Sequence, residues 1–308
     1  MESHGNQFDV TNRIDVTNPE AVRAEVGKIF LDLYPKTSTE KIDQSFRDLE
    51  LLYRGQFPGF HACDTAYHDV QHVLDVTLAM ARLMDGYERA GTGGDPFDAR
   101  TFSLGVITAL FHDCGYVRTL DDTEHHNGAE LTLTHVSRGG IFLRKYLPKI
   151  GMGDMAEIAV ALVHFTGYEI PVAQISVPSL RYKLLGKLLG SADIIAQMSD
   201  RCYLEKCRDR LYPEFVAGGI ARKRDSDGKE VILFESGEDL VKKTPKFFEV
   251  ATRRLNEDLG GLHTYTEYHF GEQDPYFREA SQNVQFAQAT TNADGTATLK
   301  RVPPHTLQ

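Results

Sequence analysis

The sequence predicts an all-α fold, and three observations carry that prediction. Apolar residues recur at helical spacing through most of the chain. Strand-like alternation is almost absent. The breaks between periodic segments fall at Pro, Gly and helix-capping residues. At 308 residues the chain is long enough for one large domain, or for a core with extensions.

The elements follow in order. A polar start ends at Asn18-Pro19, a turn and helix-start signal. A helix over 20–34 then presents Val22, Val26, Ile29, Phe30 and Leu33 on one face. Thr37, Ser38 and Thr39 offer caps for a second helix over 40–54, with Ile42, Phe46, Leu49, Leu52 and Tyr53 as its stripe. Residues 55–59, bounded by two glycines, break it. Val73, Val76, Met80 and Leu83 mark a helix over 72–87. Residues 101–112 are nearly all apolar, so that helix should be buried. A further helix is expected over 127–146, with a kink at Gly139-Gly140. A short apolar one follows over 155–165, and a long one over 181–211, broken near Gly190.

Beyond Pro213 the pattern weakens. A charged turn holds Asp227-Gly228, residues 231–234 read as a short strand, and Thr244-Pro245 reads as the start of a helix to 259. Residues 290–308 are rich in Thr, Asn and Pro and are expected to be disordered. The expected organisation is an N-terminal helical extension over 1–59, a core over 60–212, a less regular C-terminal extension over 213–290, and a tail over 291–308.

Composition excludes several classes. Lys and Arg number 34 against 44 Asp and Glu, a formal net charge of −10, which argues against general nucleic-acid binding. No apolar run approaches the ~20 residues of a membrane span, and the polar start is not a signal peptide. Cys63, Cys114, Cys202 and Cys207 form no CxxC pair, so neither a zinc ribbon nor a disulfide framework is indicated. A reduced cytoplasm is the expected setting.

Histidine placement points to chemistry. Eight of the 12 histidines lie between His61 and His164. In Tyr67-His68-Asp69-Val70-Gln71-His72, the two histidines are four apart and share a helix face if the helix begins early enough. Two imidazoles there can bind one metal, or one can bind while the other moves protons. Two solvated histidines at a polar helix start are the plain alternative. His112-Asp113 closes the apolar run from Leu104 to Phe111. Burying that pair is costly unless a cation compensates, although the pair could equally end the helix at the surface. Asp193 lies on the stripe of Leu185 and Leu189, where an apolar side chain belongs. It needs a cation, a capping role, or an arginine such as Arg138 or Arg181.

Taken together, His, then His-Asp, then Asp on successive helices resembles the ligand series of the HD superfamily of metal-dependent phosphohydrolases. Tyr67, His68, His72, Asp75 and Val76 also match the Y-H-N-x-x-H-x-x-D-V motif of class I cyclic-nucleotide phosphodiesterases, with Asp69 in place of its Asn. The resemblance covers about residues 60–210. It implies an HD-type helical bundle in which His72, His112, Asp113 and Asp193 hold one divalent cation. Asp113 could also bridge to a second cation. His68 resembles the general acid that protonates the leaving oxygen, and Asp75 would be supporting or structural. Zn, Mn, Fe, Ni, Co or Mg would suit such ligands.

The chain departs from the phosphodiesterases in two places. Cys114-Gly115-Tyr116-Val117-Arg118 replaces their histidine-bearing segment after His-Asp. Their purine-clamping Gln three residues before a Phe has only Asn283, three before Phe286, as its counterpart. Other HD branches place two further histidines before the last Asp. His126 and His164 are the candidates for a second cation, with His125 as the alternate. Arg118, Lys183 and Lys187 could bind phosphate or nucleotide, and each could equally be a solvated surface charge.

The expected activity is hydrolysis of a nucleotide or cyclic-nucleotide phosphoester by a metal-activated water, with a small-molecule phosphoester as partner. The alternatives are an HD-type di-iron oxygenase acting on a small polyol or phosphonate, and a nucleotide phosphomonoesterase. A zincin-like protease would read His68-Asp69-Val70-Gln71-His72 as H-E-x-x-H, but leaves His112-Asp113 and Asp193 without roles. A metal-stabilised binding module without catalysis is the remaining reading.

Overall fold

The computed structural model describes residues 6–91, 95–224, 227–271, 274–290 and 299–304. Those residues are all-α apart from one small hairpin. Helix α3 (Val70–Ala90) is buried from Val70 to Met84 on nearly every face, and it organises the rest. It packs against α1 (Pro19–Leu33), α4 (Ala99–Leu110), α7 (Leu180–Ser199) and α11 (Tyr265–Phe270). Helix α2 (Glu40–Tyr53) packs on α1 and α4, and α5 (His135–Tyr146) lies along α6 (Ala156–Val163).

Local signals set the starts. Asn18 accepts the Glu20 N–H at 3.0 Å, with Pro19 opening α1. Asp69 caps α3 and Asp98 caps α4. Helix α3 stops at Gly91, whose φ of 56° is the left-handed conformation of a helix C-terminus.

The long pattern after Arg181 divides at residue 200, not at Gly190. Helix α7 runs unbroken to Ser199. Then come α8 (Tyr203–Lys206), a π-helical turn over Cys207–Leu211, and α9 (Tyr212–Ala217). Gly190 is there for packing: a Cβ on it would lie 2.5 Å from the Phe165 carbonyl oxygen. Helix α5 begins at His135, not Asn127. Asn127 caps a separate short turn, Gly128–Leu131, through a capping box with Glu130. Gly139-Gly140 lies within α5, which runs on through it to Tyr146.

Helix α10 (Gly237–Glu257) is capped by Ser236 and carries Pro245 in its interior, so Thr244-Pro245 does not open it. Strands β1 (Arg222–Arg224) and β2 (Glu230–Ile232) pair antiparallel with Lys223 opposite Val231. Helix α12 (Pro275–Thr290) closes the chain against α7 and α10.

The segments expected as extensions belong to the same core, which runs from Val10 to Ala287. Arg82 of α3 shows how they are tied. It is 2% exposed, and it donates to Asp9 at 2.6 Å and to the Tyr276 hydroxyl at 3.0 Å. Chain ends far apart in sequence thus meet on one buried guanidinium. Part of the tail also packs: the Arg301 N–H donates to Glu205 at 3.0 Å, and Arg210 donates to the Pro304 carbonyl at 2.7 Å. Residues 291–298 and 305–308 lie outside the described residues. Among the described residues, no helix is long and apolar enough to cross a membrane.

Candidate metal centre

His72 sits in the first turn of α3, positioned by the Asp69 cap, whose Oδ1 accepts the His72 N–H at 3.1 Å. His112 and Asp113 follow Phe111, the C-cap of α4, and Cys114–Tyr116 turns away as a 3-10 helix. Sequence neighbours on a helix point about 100° apart. The change of conformation at this junction lets both side chains face one point. Asp193 reaches the same point from α7.

The four side chains converge. His72 Nε2 lies 3.3 Å from Asp113 Oδ2 and 3.4 Å from Asp193 Oδ1. His112 Nε2 lies 3.3 Å from the same Asp113 oxygen and 3.9 Å from Asp193 Oδ1. His72, His112 and Asp113 are buried and offer ligand atoms within 4.8 Å of one another, close enough to hold a metal ion.

The donor set fits a cation. His112 Nδ1 lies 2.7 Å from the Ala109 carbonyl. A carbonyl only accepts, so that nitrogen carries the ring proton in the neutral imidazole. Nε2 is then a bare lone pair. It is buried and has no hydrogen-bond partner, yet it faces a carboxylate oxygen. Two acceptors this close repel unless positive charge lies between them. A proton meets that need in part: burial opposes it, but Asp113 and Asp193 raise the His112 pKa above its ordinary value. The same pull acts on His72. Burial works against its protonation, but Asp113 and Asp193 outweigh burial and lift its pKa to about 10. Burial likewise disfavours the Asp113 carboxylate, and His112 and His72 more than reverse this, holding it well below the usual range.

Two residues that sequence reasoning missed complete the surroundings. The first is His135. Its Nδ1 lies 2.6 Å from the Thr132 carbonyl, and its Nε2 faces Asp113 Oδ1 at 3.6 Å. Burial depresses its pKa, Asp113 only partly opposing. The two oxygens of Asp113 therefore look toward different imidazoles. Gly115 makes this possible: a Cβ there would lie 1.8 Å from the His135 carbonyl oxygen. Expecting one long helix from Asn127 hid this histidine. Thr134 just before His135-Val136 was the available start signal.

The second is Glu214. Its Oε2 lies 2.5 Å from His68 Nδ1, and its other oxygen accepts the Tyr67 N–H. Nothing in the spacing of the sequence pairs residues this distant. The His68 ring stacks on Tyr116 at 4.3 Å, and Tyr116 stacks on His135 at 4.3 Å. Asp69 is occupied elsewhere, with Oδ1 capping α3 and Oδ2 accepting from Arg210 at 3.2 Å. It is thus unavailable as a protease-type general base.

The other expected site residues lie apart. His126 is exposed, and its backbone N–H donates to Glu130. His125 pairs with Asp122 at 3.0 Å, and His164 with Glu169 at 2.9 Å. None of these three histidines lines the cavity over the centre. Arg118 is engaged by Asp64 at 2.9 Å and by the His125 carbonyl. Lys187 lies beside Gly260. Asn283 is buried and donates to the Met198 and Asp200 carbonyls at 2.9 and 2.7 Å, while the Arg301 guanidinium lies over the Phe286 ring. Neither Asn283 nor Phe286 lines the cavity, so the structure gives Asn283 a packing role in place of a base-binding one. Arg138 and Arg181, the sequence's alternative partners for Asp193, turn to the Gly115 carbonyl and toward Asp95 and Asp98. Asp75 stands outside the cluster, where burial pushes its carboxyl well above the usual range.

The cavity over the centre has a volume of about 450 Å³, and Tyr168, Phe215, Phe247 and Gln197 contribute to its walls. Fold and site together define an all-α protein with a candidate His/Asp metal centre. The chain belongs to the Npun_R2479-like family, whose model matches residues 56–269. That span includes every residue of the cluster, together with His68, His135 and Glu214. Comparison with the curated proteins and with the solved structures gives no significant match.

Proposed function

We propose that this protein is a metal-dependent phosphohydrolase that cleaves a phosphodiester, with nucleotide and cyclic-nucleotide esters the leading candidates. The observation that carries the reading is the buried, unpartnered His112 Nε2 facing Asp113 and Asp193, beside a histidine braced by a carboxylate. His72, His112, Asp113 and Asp193 would hold the cation, and the second Asp113 oxygen with His135 offers a place for another. Bound divalent cations would offset phosphoryl charge and lower the pKa of water at the site.

The chain's own groups supply the rest. Glu214 orients the His68 imidazole, so His68 can deliver a proton to the leaving oxygen at the cavity wall. Tyr116, stacked between His68 and His135, holds both rings in place. Burial keeps its hydroxyl neutral. The aromatic walls suit a planar or apolar substituent. No Lys or Arg is among the described residues lining the cavity. Phosphate charge would then be met by cations alone, which favours a singly charged diester over a doubly charged monoester.

The test is turnover of bis(p-nitrophenyl) phosphate by protein loaded in turn with Zn, Mn, Fe, Ni, Co and Mg. Activity should appear with at least one metal and fall to background in His112→Ala and Asp113→Ala. Wild-type turnover in either variant would remove the case.

A further inference from the structure

On the far side of the Cys114–Tyr116 turn lies a second cavity of about 170 Å³, which shares no lining residue with the metal cavity. Its floor is aromatic. Phe57, Phe60 and Phe142 touch one another with ring centroids 5.7–6.0 Å apart, and Tyr146 stacks on Phe142 at 5.5 Å. A void near 150 Å³ with apolar walls is enough to hold one benzene ring.

The rim carries Arg138, Lys145 and Lys149. Among the described residues none of the three forms an ion pair. Arg138 is half-buried, and its hydrogen bonds go to the carbonyls of Gly115 and Val117 at 2.8 and 3.4 Å, which leave its charge without a carboxylate. Lys149 lies over the Phe57 ring at 5.7 Å. Three cations around one aromatic hollow, with only the exposed Asp121 carboxylate acting on one of them, Lys145, and none on Arg138 in an ion pair, are unexpected on a chain of net charge −10. A half-buried guanidinium without a counter-charge is costly to keep unless something negative visits it.

We infer that this hollow is a second small-molecule site, which takes an aromatic monoanion with its ring on Phe57, Phe60 and Phe142 and its carboxylate at Arg138, Lys145 and Lys149. The ring supplies apolar burial, and the charge-assisted hydrogen bonds set orientation. The assignment does not depend on the metal centre or on what reaction occurs there.

The test is calorimetric titration of full-length protein, stripped of metal by chelation, with benzoate and with neutral benzyl alcohol. Chelation keeps the carboxylate from simply ligating a cation at the other site. Benzoate should bind, and benzyl alcohol should bind more weakly by about tenfold or more. The double variant Lys145→Glu/Lys149→Glu changes two exposed side chains. It should keep the wild-type melting temperature and weaken benzoate by a similar factor. Absence of benzoate binding would overturn the inference. So would equal affinity for the alcohol, or unchanged affinity in the charge-reversed protein.

Discussion

Glu214 and His68 are 146 residues apart in the chain, and their side chains meet at 2.5 Å beside the cavity over the candidate metal centre. The pairing binds α9 to the segment before α3 and leaves one imidazole nitrogen of His68 for other work. If that work is protonation of a leaving group, Glu214→Gln should lower kcat by about 10²-fold for a phosphodiester with a poor, alkyl leaving group. The loss should be much smaller for p-nitrophenolate, which leaves without a proton. Comparison of the two substrates checks this, since a merely structural role for Glu214 would slow both alike.

Metal should stabilise the fold. A ligand that binds only the native state at about 100 times its Kd adds about 2.7 kcal/mol. Calorimetric melting with and without chelator should show a clear rise in Tm for the wild type, and His112→Ala should abolish the rise. The chelated variant should melt below the chelated wild type, because the substitution also removes the Nδ1 bond to the Ala109 carbonyl and leaves a void at a buried position, so the readout is the metal-induced rise and not the starting Tm.

The Asp9–Arg82 pair predicts a pH dependence. Burial raises the Asp9 pKa, but Arg82 and two backbone N–H groups outweigh it and leave it below the ordinary 3.8. A carboxylate whose folded pKa is depressed contributes stability that is fully present above the unfolded value and lost as pH falls through the folded one. Asp9→Asn should therefore cost about 3–5 kcal/mol at pH 7, where it strands a buried guanidinium. The gap between variant and wild type should close below pH 3.8. Urea unfolding at pH 7 and pH 3 measures both arms.

Gly115 places His135. In Gly115→Ala the new methyl would collide with the His135 carbonyl, so α5 must shift. Overpacking of this kind costs about 1–3 kcal/mol. Both Tm and the proposed turnover of bis(p-nitrophenyl) phosphate should fall, and the turnover should not return on cooling to a temperature where the variant is fully folded.

Asn283 separates two roles. A base-binding amide would change KM when lost. A buried amide that joins the Met198 and Asp200 carbonyls would change stability. Asn283→Ala should lower stability by about 1–3 kcal/mol and leave KM for any turned-over ester unchanged. Urea unfolding alongside steady-state kinetics decides between them.

Much of the fold was legible because helix signals are local. The stripes of α1 and α2, the Asn18 cap and the apolar run ending at His112 act within one or two turns, and the structure keeps them. Helix boundaries were misread at Gly190 and at Thr244-Pro245. Gly190 lies inside α7 and accommodates the Phe165 carbonyl, and Pro245 is carried in the interior of α10. These choices depend on a neighbour that the local sequence does not name.

The convergence of His72, His112, Asp113 and Asp193 was legible for a different reason. His112-Asp113 at the end of an apolar run and Asp193 on an apolar stripe are costly placements that advertise a missing partner, and the resemblance of the His, His-Asp, Asp order to the HD ligand series is what joined them with His72. His135 and Glu214 gave no such signal. One lies at the start of a helix and the other beside Pro213, both ordinary places for polar residues. Only the packing of α5 against Gly115, and of α9 against the segment before α3, gives them partners. The chain by itself thus marked His112-Asp113 and Asp193 as side chains in need of a compensating partner. The tertiary structure decided which imidazoles and carboxylates stand around them, because contacts between distant segments follow from how helices pack and not from the spacing of residues along any one of them.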